Sequence, residues 1–347
     1  SAACNESVEL AKKWVHEGAA KLVNGALRQL ARTRDQWKFP KGPEHELERI
    51  ALEYYHPEWL VRRWKFRYGL EEAVKLCRFD NARPAFSFRV NTLRESRESL
   101  QKKLAEKGIA THLSRWSPDG LICDSLPSLE ILVEQFGPDI YIQDESSMLD
   151  AAVLDPQPGE RILDLCSAPG GKTTHLAQKM QDRGEILALD LYDHKLELVR
   201  ENARRLGIQC IRTEKQDGTV FVPEWENGAD RVLVDAPCSG LGVLNRRAEA
   251  RWTKEERSLS QFPPLQKKIL ENAARYVRPG GRLLYSTCTL EQDENTRMRK
   301  WFLENHPEFV SVPFSHPVTG ESLEELQILP QRDGINGFYL CLFAKRK

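Results

Sequence analysis

The second half of the chain alternates short apolar runs with amphipathic segments, and this alternation constrains the fold more than any other feature. Segments with helical spacing lie at Thr173–Gln181, His194–Leu206 and Pro264–Val277. Between and around them are runs with the length and composition of buried strands, at Arg161–Cys166, Glu185–Asp190, Ile208–Thr213, Asp230–Ala236 and Gly281–Cys288. Strands that alternate with helices form parallel sheets joined by crossover helices, so we predict a doubly wound α/β sheet. A late apolar run, Phe338–Lys345, is expected as an edge strand.

Two regions with other sequence patterns precede the part of the chain predicted to form this sheet. Residues 1 to about 80 show helical spacing with breaks near Pro40 and Pro57, and no convincing strand. Further on, a helix at 96–107 lies among short strand patterns at 85–90, 109–113, 120–123 and 140–143. We therefore expect a helical region at 1–80, a small α+β module at 81–147 and the doubly wound domain at 148–347.

The amino-acid composition limits which classes of protein the chain can belong to and which partners it can bind. The chain has 51 Lys plus Arg and 51 Asp plus Glu, so a polyanion would have to bind a local basic patch. No apolar run is long enough to span a membrane, and no charged-then-apolar leader opens the chain. The eight cysteines are scattered without a C-x-x-C pair, which favours free thiols over a zinc site or a disulfide framework. We expect a cytoplasmic monomer without membrane contact and without a metal.

The turn after the first predicted strand, Asp164–Thr173, has the position of a ligand-binding loop. Backbone N–H groups and the positive end of the following helix suit a polar ligand there, and Gly170 and Gly171 allow close approach. A P-loop would need glycine where Cys166 stands, and the dinucleotide pattern G-x-G-x-x-G is also missing. The loop therefore argues against a nucleoside triphosphate and against a dinucleotide.

A carboxylate follows each of the next three predicted strands: Asp190, Asp217 and Asp235. The first suits the hydroxyls of a ribose, and the second can accept from an exocyclic amine. Each aspartate alone is better explained as a helix cap. Three aspartates at one edge of a sheet favour a site that binds a cationic nucleoside.

Two cysteines, Cys238 and Cys288, follow the fourth and fifth predicted strands and therefore face the same crevice. A thiolate can add to C6 of a pyrimidine, which makes C5 nucleophilic toward a sulfonium methyl group. That reaction also needs an acid near N3, a role open to Asp235. The alternative is that both thiols are packing residues, but their flanks are polar turn residues such as Ser239, Gly240 and Thr289.

Several motifs resemble the Nop/Sun family of S-adenosylmethionine-dependent RNA cytosine-5 methyltransferases, especially the bacterial Sun/Fmu type that acts on 16S ribosomal RNA. They are Phe88–Thr92, Gln143–Ser147, Leu163–Thr173, Asp235–Gly240, Arg278–Gly281, Tyr285–Thr289 and Glu294-Asn295. The resemblance implies a Rossmann-like methyltransferase domain. Residues 5–28 resemble the end of the NusB-like domain that precedes the catalytic part in that type, so we expect most of that domain to lie upstream of this sequence.

The resemblance also implies residue roles. Cys288 would be the nucleophile, Cys238 the thiol that assists product release, and Asp235 would face both the cofactor and the cytosine. Further contacts to S-adenosylmethionine would come from Asp190, Asp217 and the loop residues Cys166, Ser167, Ala168, Pro169, Gly170, Gly171 and Lys172. The chain departs from many relatives at Ala248-Glu249, where they have Pro-Asp, and this leaves the RNA contacts of that loop open.

A basic stretch begins just after Cys238. Residues 245–282 contain ten Lys or Arg against four Glu, which is the local patch that RNA phosphates require. We expect RNA contacts from Arg246, Arg247 and Arg251, with Trp252 as a stacking face; a solvated helix surface is the simpler alternative. The target base must be unpaired or flipped out. Other functions that fit less well are the same chemistry on tRNA, a nitrogen or small-molecule methyltransferase, and an idle RNA-binding assembly factor.

Overall fold

A computed structural model describes residues 2–36, 38–123 and 129–347. Its contacts divide the chain into a unit of residues 1–62 and a unit of residues 63–347. The helices are α1 (Ala2–Trp14), α2 (Glu17–Thr33), α3 (Glu46–Tyr54), α4 (Glu58–Tyr68), α5 (Leu70–Asn81), α6 (Arg97–Glu106), α7 (Leu129–Phe136), α8 (Leu149–Leu154), α9 (Gly171–Lys179), α10 (Asp193–Leu206), α11 (Ala250–Thr253), α12 (Phe262–Tyr276), α13 (Thr296–Asn305) and α14 (Pro330–Asp333). The strands are β1 (Phe86–Val90), β2 (Thr111–Leu113), β3 (Gly120–Cys123), β4 (Ile140–Ile142), β5 (Arg161–Asp164), β6 (Glu185–Asp190), β7 (Ile211–Lys215), β8 (Ala229–Asp235), β9 (Val277–Thr287), β10 (Phe309–Ser311), β11 (Phe314–Ser315), β12 (Ser322–Leu323), β13 (Glu325–Ile328) and β14 (Phe338–Lys345).

The first unit is helical, as its spacing predicts. Helix α2 begins where the His16 ring nitrogen Nδ1 accepts a hydrogen bond from the backbone N–H of Ala19, at 3.1 Å. Helix α3 ends at Tyr55, which adopts the left-handed conformation that commonly terminates helices. None of the described residues of this unit forms a strand.

The small α+β module lies at the start of the second unit. Its sheet has the order β2-β3-β1-β4, with every pair antiparallel. Phe88 and Val90 from β1 pack with Leu100 and Leu104 from α6 in its core. The prediction of this module is confirmed, and α7 is an addition that the sequence analysis did not include.

Arg89 ties this module to the doubly wound domain. Its side chain is fully buried, and its guanidinium donates to the carbonyl of Gly171 at 2.5 Å, to Oγ1 of Thr174 at 2.8 Å and to the side chain of Gln143. Burial lowers the pKa of Arg89 to about 9. Because residues 81–147 and 148–347 belong to one compact unit, the domain boundaries expected at 80 and 147 stay predictions.

The large sheet has the order β10-β14-β9-β8-β5-β6-β7, and β13 also pairs with β14. Strands β5 to β9 are parallel to one another, which confirms the doubly wound α/β fold. Two details were wrong. Strand β14 is an interior strand, because it pairs antiparallel with β9 on one side and with β10 and β13 on the other. The third parallel strand is Ile211–Lys215, since Ile208 belongs to the turn after α10.

The strand order reverses between β5 and β8. From β5 the chain builds outward through β6 and β7 and then returns to the other side of β5 as β8 and β9. The loops after β5 and β8 therefore leave the sheet in diverging directions and open a crevice at its carboxyl edge. This crevice is where sheets of this kind bind ligands.

Candidate active site

The loop after β5 turns tightly at the crevice. The N–H of Gly170 donates to the carbonyl of Ser167 at 2.8 Å, and the Ser167 N–H and hydroxyl both donate to Leu189 in the neighbouring strand. Gly170 has a φ of +101°, which favours glycine, and a Cβ there would lie 3.1 Å from the Cα of Val199. A Cβ on Gly171 would lie 3.0 Å from the ring of Tyr141. Two adjacent glycines thus keep this loop open at the start of α9.

Two of the three expected carboxylates lie further along this edge, each with one oxygen engaged locally. Asp190, the last residue of β6, accepts from the N–H of Tyr192 at 3.1 Å. Asp217, just after β7, accepts from the N–H and hydroxyl of Thr219 at 2.8 and 2.7 Å. In both side chains Oδ1 fixes a turn, which orients the carboxylate and leaves Oδ2 for a ligand.

Asp164, the last residue of β5, is a further carboxylate at this edge. It is almost fully buried, and its Oδ2 accepts from the Thr173 hydroxyl at 2.7 Å. Oδ1 has no hydrogen-bond partner among the described residues. Burial raises the pKa of Asp164 to about 7.

The Lys172 ammonium lies between two carboxylates at the start of α9. Its Nζ is 2.7 Å from Asp150 Oδ2 and 2.5 Å from Asp235 Oδ1. Asp150 is completely buried in α8, whereas the Asp235 side chain is 32% exposed. Asp235 is therefore the most solvent-accessible of these three side chains. Burial raises the pKa of Asp150 to about 6. Burial alone would lower the pKa of Lys172, but the two carboxylates outweigh it and raise that pKa, so the ammonium stays charged.

The two thiols meet beside this ion pair. Cys238 Sγ and Cys288 Sγ are 3.4 Å apart, because β8 and β9 are adjacent and parallel, with Asp235 opposite Ser286. The hydrogen bond from Cys238 lowers the pKa of Cys288, and the charges of Lys172 and Arg247 act in the same direction. The pKa of Cys238 is raised, first by its role as donor to Cys288 and then by burial. Either sulfur can donate in this contact, and the pairing favours the charged form of Cys288 over that of Cys238.

A buried polar network holds the two cysteine loops together. Ser239, next to Cys238, shares a 2.6 Å hydroxyl contact with Thr289, next to Cys288. The Glu294 carboxylate accepts from the Ser239 N–H at 3.0 Å, from its hydroxyl at 2.5 Å and from Gln266 Nε2 at 2.9 Å. Asn295 binds both sides of the second loop, through the Thr287 hydroxyl and the Thr289 carbonyl. The position of both thiols therefore depends on Glu294 and Asn295.

The four expected RNA contacts lie in very different environments. Arg247 and Trp252 are exposed. Arg246 is exposed, but its guanidinium is held by the Ala85 carbonyl and by Asp144 at 2.6 and 2.5 Å. Arg251 is only 5% exposed and donates to Asn81 Oδ1 and to the Asp80 carbonyl. Its guanidinium joins α11 to α5, so of the four expected RNA contacts Arg251 offers the least exposed surface, and its contact with RNA stays a prediction.

Two properties of the described residues bear on other classes of protein. They contain no group of three or more His, Cys, Asp or Glu side chains that could hold a metal ion. No helix in the described ranges has both the length and the apolar character needed to cross a membrane.

Comparison with models of known protein families assigns the chain to a family. The sequence model described as 16S rRNA methyltransferase RsmB/F matches residues 151–344, which is more than half of the chain. The chain belongs to this family. A ferredoxin-like domain model of RsmF/B-like methyltransferases matches residues 56–129, and the NusB family model matches residues 1–32.

Individual proteins and solved structures are also similar to this chain. The chain is 38% identical to a probable ribosomal RNA small subunit methyltransferase B of Bacillus subtilis, over 99% of this chain and 78% of that protein. Among solved structures, one titled PH0851 is 34% identical, with a TM-score of 0.85, and covers 97% of this chain and 75% of that one. A methyltransferase homologue from Pyrococcus horikoshii is 29% identical, with a TM-score of 0.73, over 88% of this chain and 100% of that one.

The structure thus brings most of the expected site residues to one crevice of an RsmB/F-type domain. Residues 166–172, Asp190, Asp217, Asp235, Cys238 and Cys288 all lie at the carboxyl edge of β5 to β9. Asp150 was not predicted, and no role was predicted for Glu294. Asp150 had a signal, because it is a lone carboxylate within the apolar segment 148–154. Glu294 belongs to a motif of the resemblance, but its contacts could not be predicted because its partners Ser239 and Gln266 are distant in sequence.

Proposed function

We propose that this member of the RsmB/F family transfers a methyl group to C5 of a cytosine in 16S ribosomal RNA through a covalent adduct with Cys288. The observation that carries the proposal is the 3.4 Å thiol pair, with the pKa of Cys288 lowered, beside the Lys172–Asp235 ion pair. Nitrogen methylation or a small-molecule reaction would not need such a pair.

Each residue of the site acts at a defined step of the reaction. The Cys288 thiolate adds to C6 of the cytosine while N3 takes up a proton from a water molecule, and Asp235, the partly exposed carboxylate, accepts a hydrogen bond from the protonated N3 edge. Lys172 holds Asp235 in place and favours the thiolate. After the methyl group has joined C5, the C5 proton passes to water, the bond between C6 and the Cys288 sulfur breaks and N3 releases its proton, which restores the aromatic base. Cys238, 3.4 Å away, donates a hydrogen bond to the Cys288 thiolate as it departs.

We infer that the methyl donor is S-adenosylmethionine, bound along the loop after β5. This donor supplies an electrophilic methyl group when it is bound. The residues fit it in three respects: the open turn at Gly170 and Gly171 admits a ligand, Oδ2 of Asp190 remains for ribose hydroxyls, and Oδ2 of Asp217 remains for an exocyclic amine. Asp164 Oδ1 is a further acceptor beside the loop without a protein partner among the described residues.

The RNA must present an unpaired or flipped cytosine, because a stacked base does not expose C6 to a thiolate. Arg247 is the contact that we retain for the backbone near the target, since it is exposed and close enough to influence the Cys288 thiolate. Every group in this scheme lies within one chain, so we propose a monomer that works in the cytoplasm, where ribosomal RNA is found.

The test compares the two cysteines on the same RNA. Unmethylated 16S rRNA and S-adenosylmethionine are incubated with wild type, Cys238→Ala, Cys288→Ala and the double variant, and are then resolved on a denaturing gel. Cys238→Ala should accumulate a slow, protease-sensitive RNA band, because the adduct forms but does not resolve. That band should vanish in the double variant. A band that persists without Cys288 would assign the attack to another residue.

The same samples test the other functions. Digestion of the RNA should yield 5-methylcytosine from wild type only. An idle assembly factor would bind the RNA, give no 5-methylcytosine and bind no S-adenosylmethionine in a calorimetric titration.

A further inference from the structure

A cavity of about 750 Å³ lies away from the thiols, between the small α+β module and the C-terminal part of the same unit. The module contributes Arg83, Phe86, His112 and Arg115 among others, and the opposite wall is formed by Arg246 and residues 333–335. Its volume is in the range of pockets that enclose a small organic ligand, about 300 to 1,000 Å³. None of the roles assigned above uses this cavity.

The charges around it favour an anion. Arg83 is exposed and makes no hydrogen bond or ion pair with the described residues. Arg115 is also exposed, and its Nη2 donates only to the Asp333 carbonyl, at 3.2 Å. The two carboxylates of the lining bind other groups: Glu145 is buried against the Ser114 hydroxyl at 2.5 Å, with the charge of Arg115 also acting on it, and Asp333 accepts from the Leu329 N–H at 2.7 Å. Two guanidinium groups therefore remain for a phosphate.

The rest of the lining suits a base. Phe86 is half-buried, Leu113 is 42% exposed, and both border the cavity, so apolar surface remains available beside the arginines. Trp116 also lines it, and its buried indole N–H has no acceptor among the described residues. Unpaired bases are bound by aromatic and apolar faces, with hydrogen bonds to their edges.

The cavity is joined to the active site by a short stretch of backbone. Two residues beyond Ile335 in its wall, the Gly337 N–H donates to the Gly242 carbonyl at 2.8 Å, and the Gly242 N–H donates to the Cys288 carbonyl at 3.0 Å. Two residues of chain span at most roughly 7 Å. Glycine is needed at this crossing, because a Cβ on Gly242 would lie 2.6 Å from the Gly337 carbonyl oxygen. The backbone of the cavity wall thus lies within a few residues and two hydrogen bonds of Cys288, so a nucleotide next to the target cytosine could reach the cavity.

We propose that this cavity binds an unpaired nucleotide that flanks the methylated cytosine, with its phosphate on Arg83 and Arg115 and its base against Phe86 and Leu113. The inference rests on the proposed function and adds a second nucleotide subsite to it. Arg246, fixed by Ala85 and Asp144, forms part of the cavity wall. The cavity then selects RNA whose flanking nucleotide can leave its stack.

The test uses 16S rRNA transcribed without modification as the probe. Arg83→Gln/Arg115→Gln is compared with Arg346→Gln, a control on an exposed arginine beyond β14, at the opposite edge of the sheet from the thiols. The cavity variant should raise KM for RNA roughly tenfold and leave kcat within about twofold. The slope of log affinity against log salt should become shallower by about 0.7 for each phosphate that the variant no longer neutralises. The control should match wild type in all three.

A second measurement uses the unmutated protein and does not depend on how the variants fold. A 16S rRNA transcript with 4-thiouridine in place of uridine is photo-crosslinked, and the attached peptides are mapped by mass spectrometry. Crosslinks should fall within residues 83–89 or 112–116. Unchanged KM and salt slope, or crosslinks that avoid both segments, would overturn the subsite. Loss of the proposed function is distinguished by the wild type itself, which would then produce no 5-methylcytosine.

Discussion

Replacement of Glu294 should separate its hydrogen-bonding role from its charge. The carboxylate is 1% exposed and accepts from the Ser239 N–H, the Ser239 hydroxyl and Gln266 Nε2. In Glu294→Ala the hydroxyl can turn to Thr289, 2.6 Å away, but the Ser239 N–H and one Gln266 N–H lose their acceptor. A buried donor left without an acceptor costs about 1 to 3 kcal/mol, so two cost about 2 to 6 kcal/mol. Relief of the buried carboxylate offsets part of this, and we expect about 3 kcal/mol of destabilisation.

Glu294→Gln should be far milder. The amide oxygen can keep the two contacts of Oε2, and the amide nitrogen can donate to the Ser239 hydroxyl in place of Oε1. Burial raises the pKa of Glu294, so the folded protein holds this proton to a higher pH than the unfolded chain does. Wild-type stability should therefore fall as pH rises from the unfolded pKa to the folded pKa, and this fall should be smaller in Glu294→Gln.

The assay is urea unfolding, with the rate of Cys288 adduct formation measured in parallel on the same samples. Glu271→Ala, an exposed position on α12, is the matched control and should change the free energy of unfolding by less than about 0.5 kcal/mol. Glu294→Ala should also slow adduct formation, because the loop that carries Cys238 loses its anchor. If Glu294→Ala unfolds like wild type, or if Glu294→Gln is equally damaging, then hydrogen bonds to Glu294 do not hold the two cysteine loops in place.

Three further predictions test other parts of the site. Asp190→Ala should weaken S-adenosylmethionine binding by about 1.5 to 3 kcal/mol in a calorimetric titration and leave RNA affinity unchanged; unaltered cofactor affinity would mean that Asp190 only fixes its turn. Burial lowers the pKa of His175 to about 3, so the stability that its neutral form contributes is present above about pH 6.5 and is lost as pH falls toward 3. Urea unfolding should show less stability at about pH 4.5 than at about pH 7, by an amount that the contact of His175 with Asp119 reduces, and less pH dependence in His175→Gln. Hydrogen peroxide should join Cys238 and Cys288 as a disulfide with release of two waters, because their sulfurs are 3.4 Å apart; methyl transfer should stop and return with dithiothreitol, and Cys238→Ala should form no such disulfide.

The sequence by itself determined the architecture of the catalytic domain and the edge at which its reactive groups meet. Alternating strand and helix patterns define parallel β5 to β9, and the carboxyl ends of parallel strands share one edge. Asp190, Asp235, Cys238 and Cys288 could therefore be placed together before any contact was known. The periodicity that identifies each strand is local, which is why it survives in the sequence.

Only the tertiary structure decided which groups touch. Asp150, which lies in a separate helix, forms an ion pair with Lys172. The buried Arg251 donates to the backbone carbonyl of Asp80, 171 residues earlier in the chain. Strand β14 lies inside the sheet because β10 and β13 pair with its outer side. Such pairings depend on packing between segments far apart in the chain, and an exposed arginine and a buried one have the same local pattern. For that reason the sequence predicted that the two thiols meet in one crevice but did not predict that Arg251 is buried.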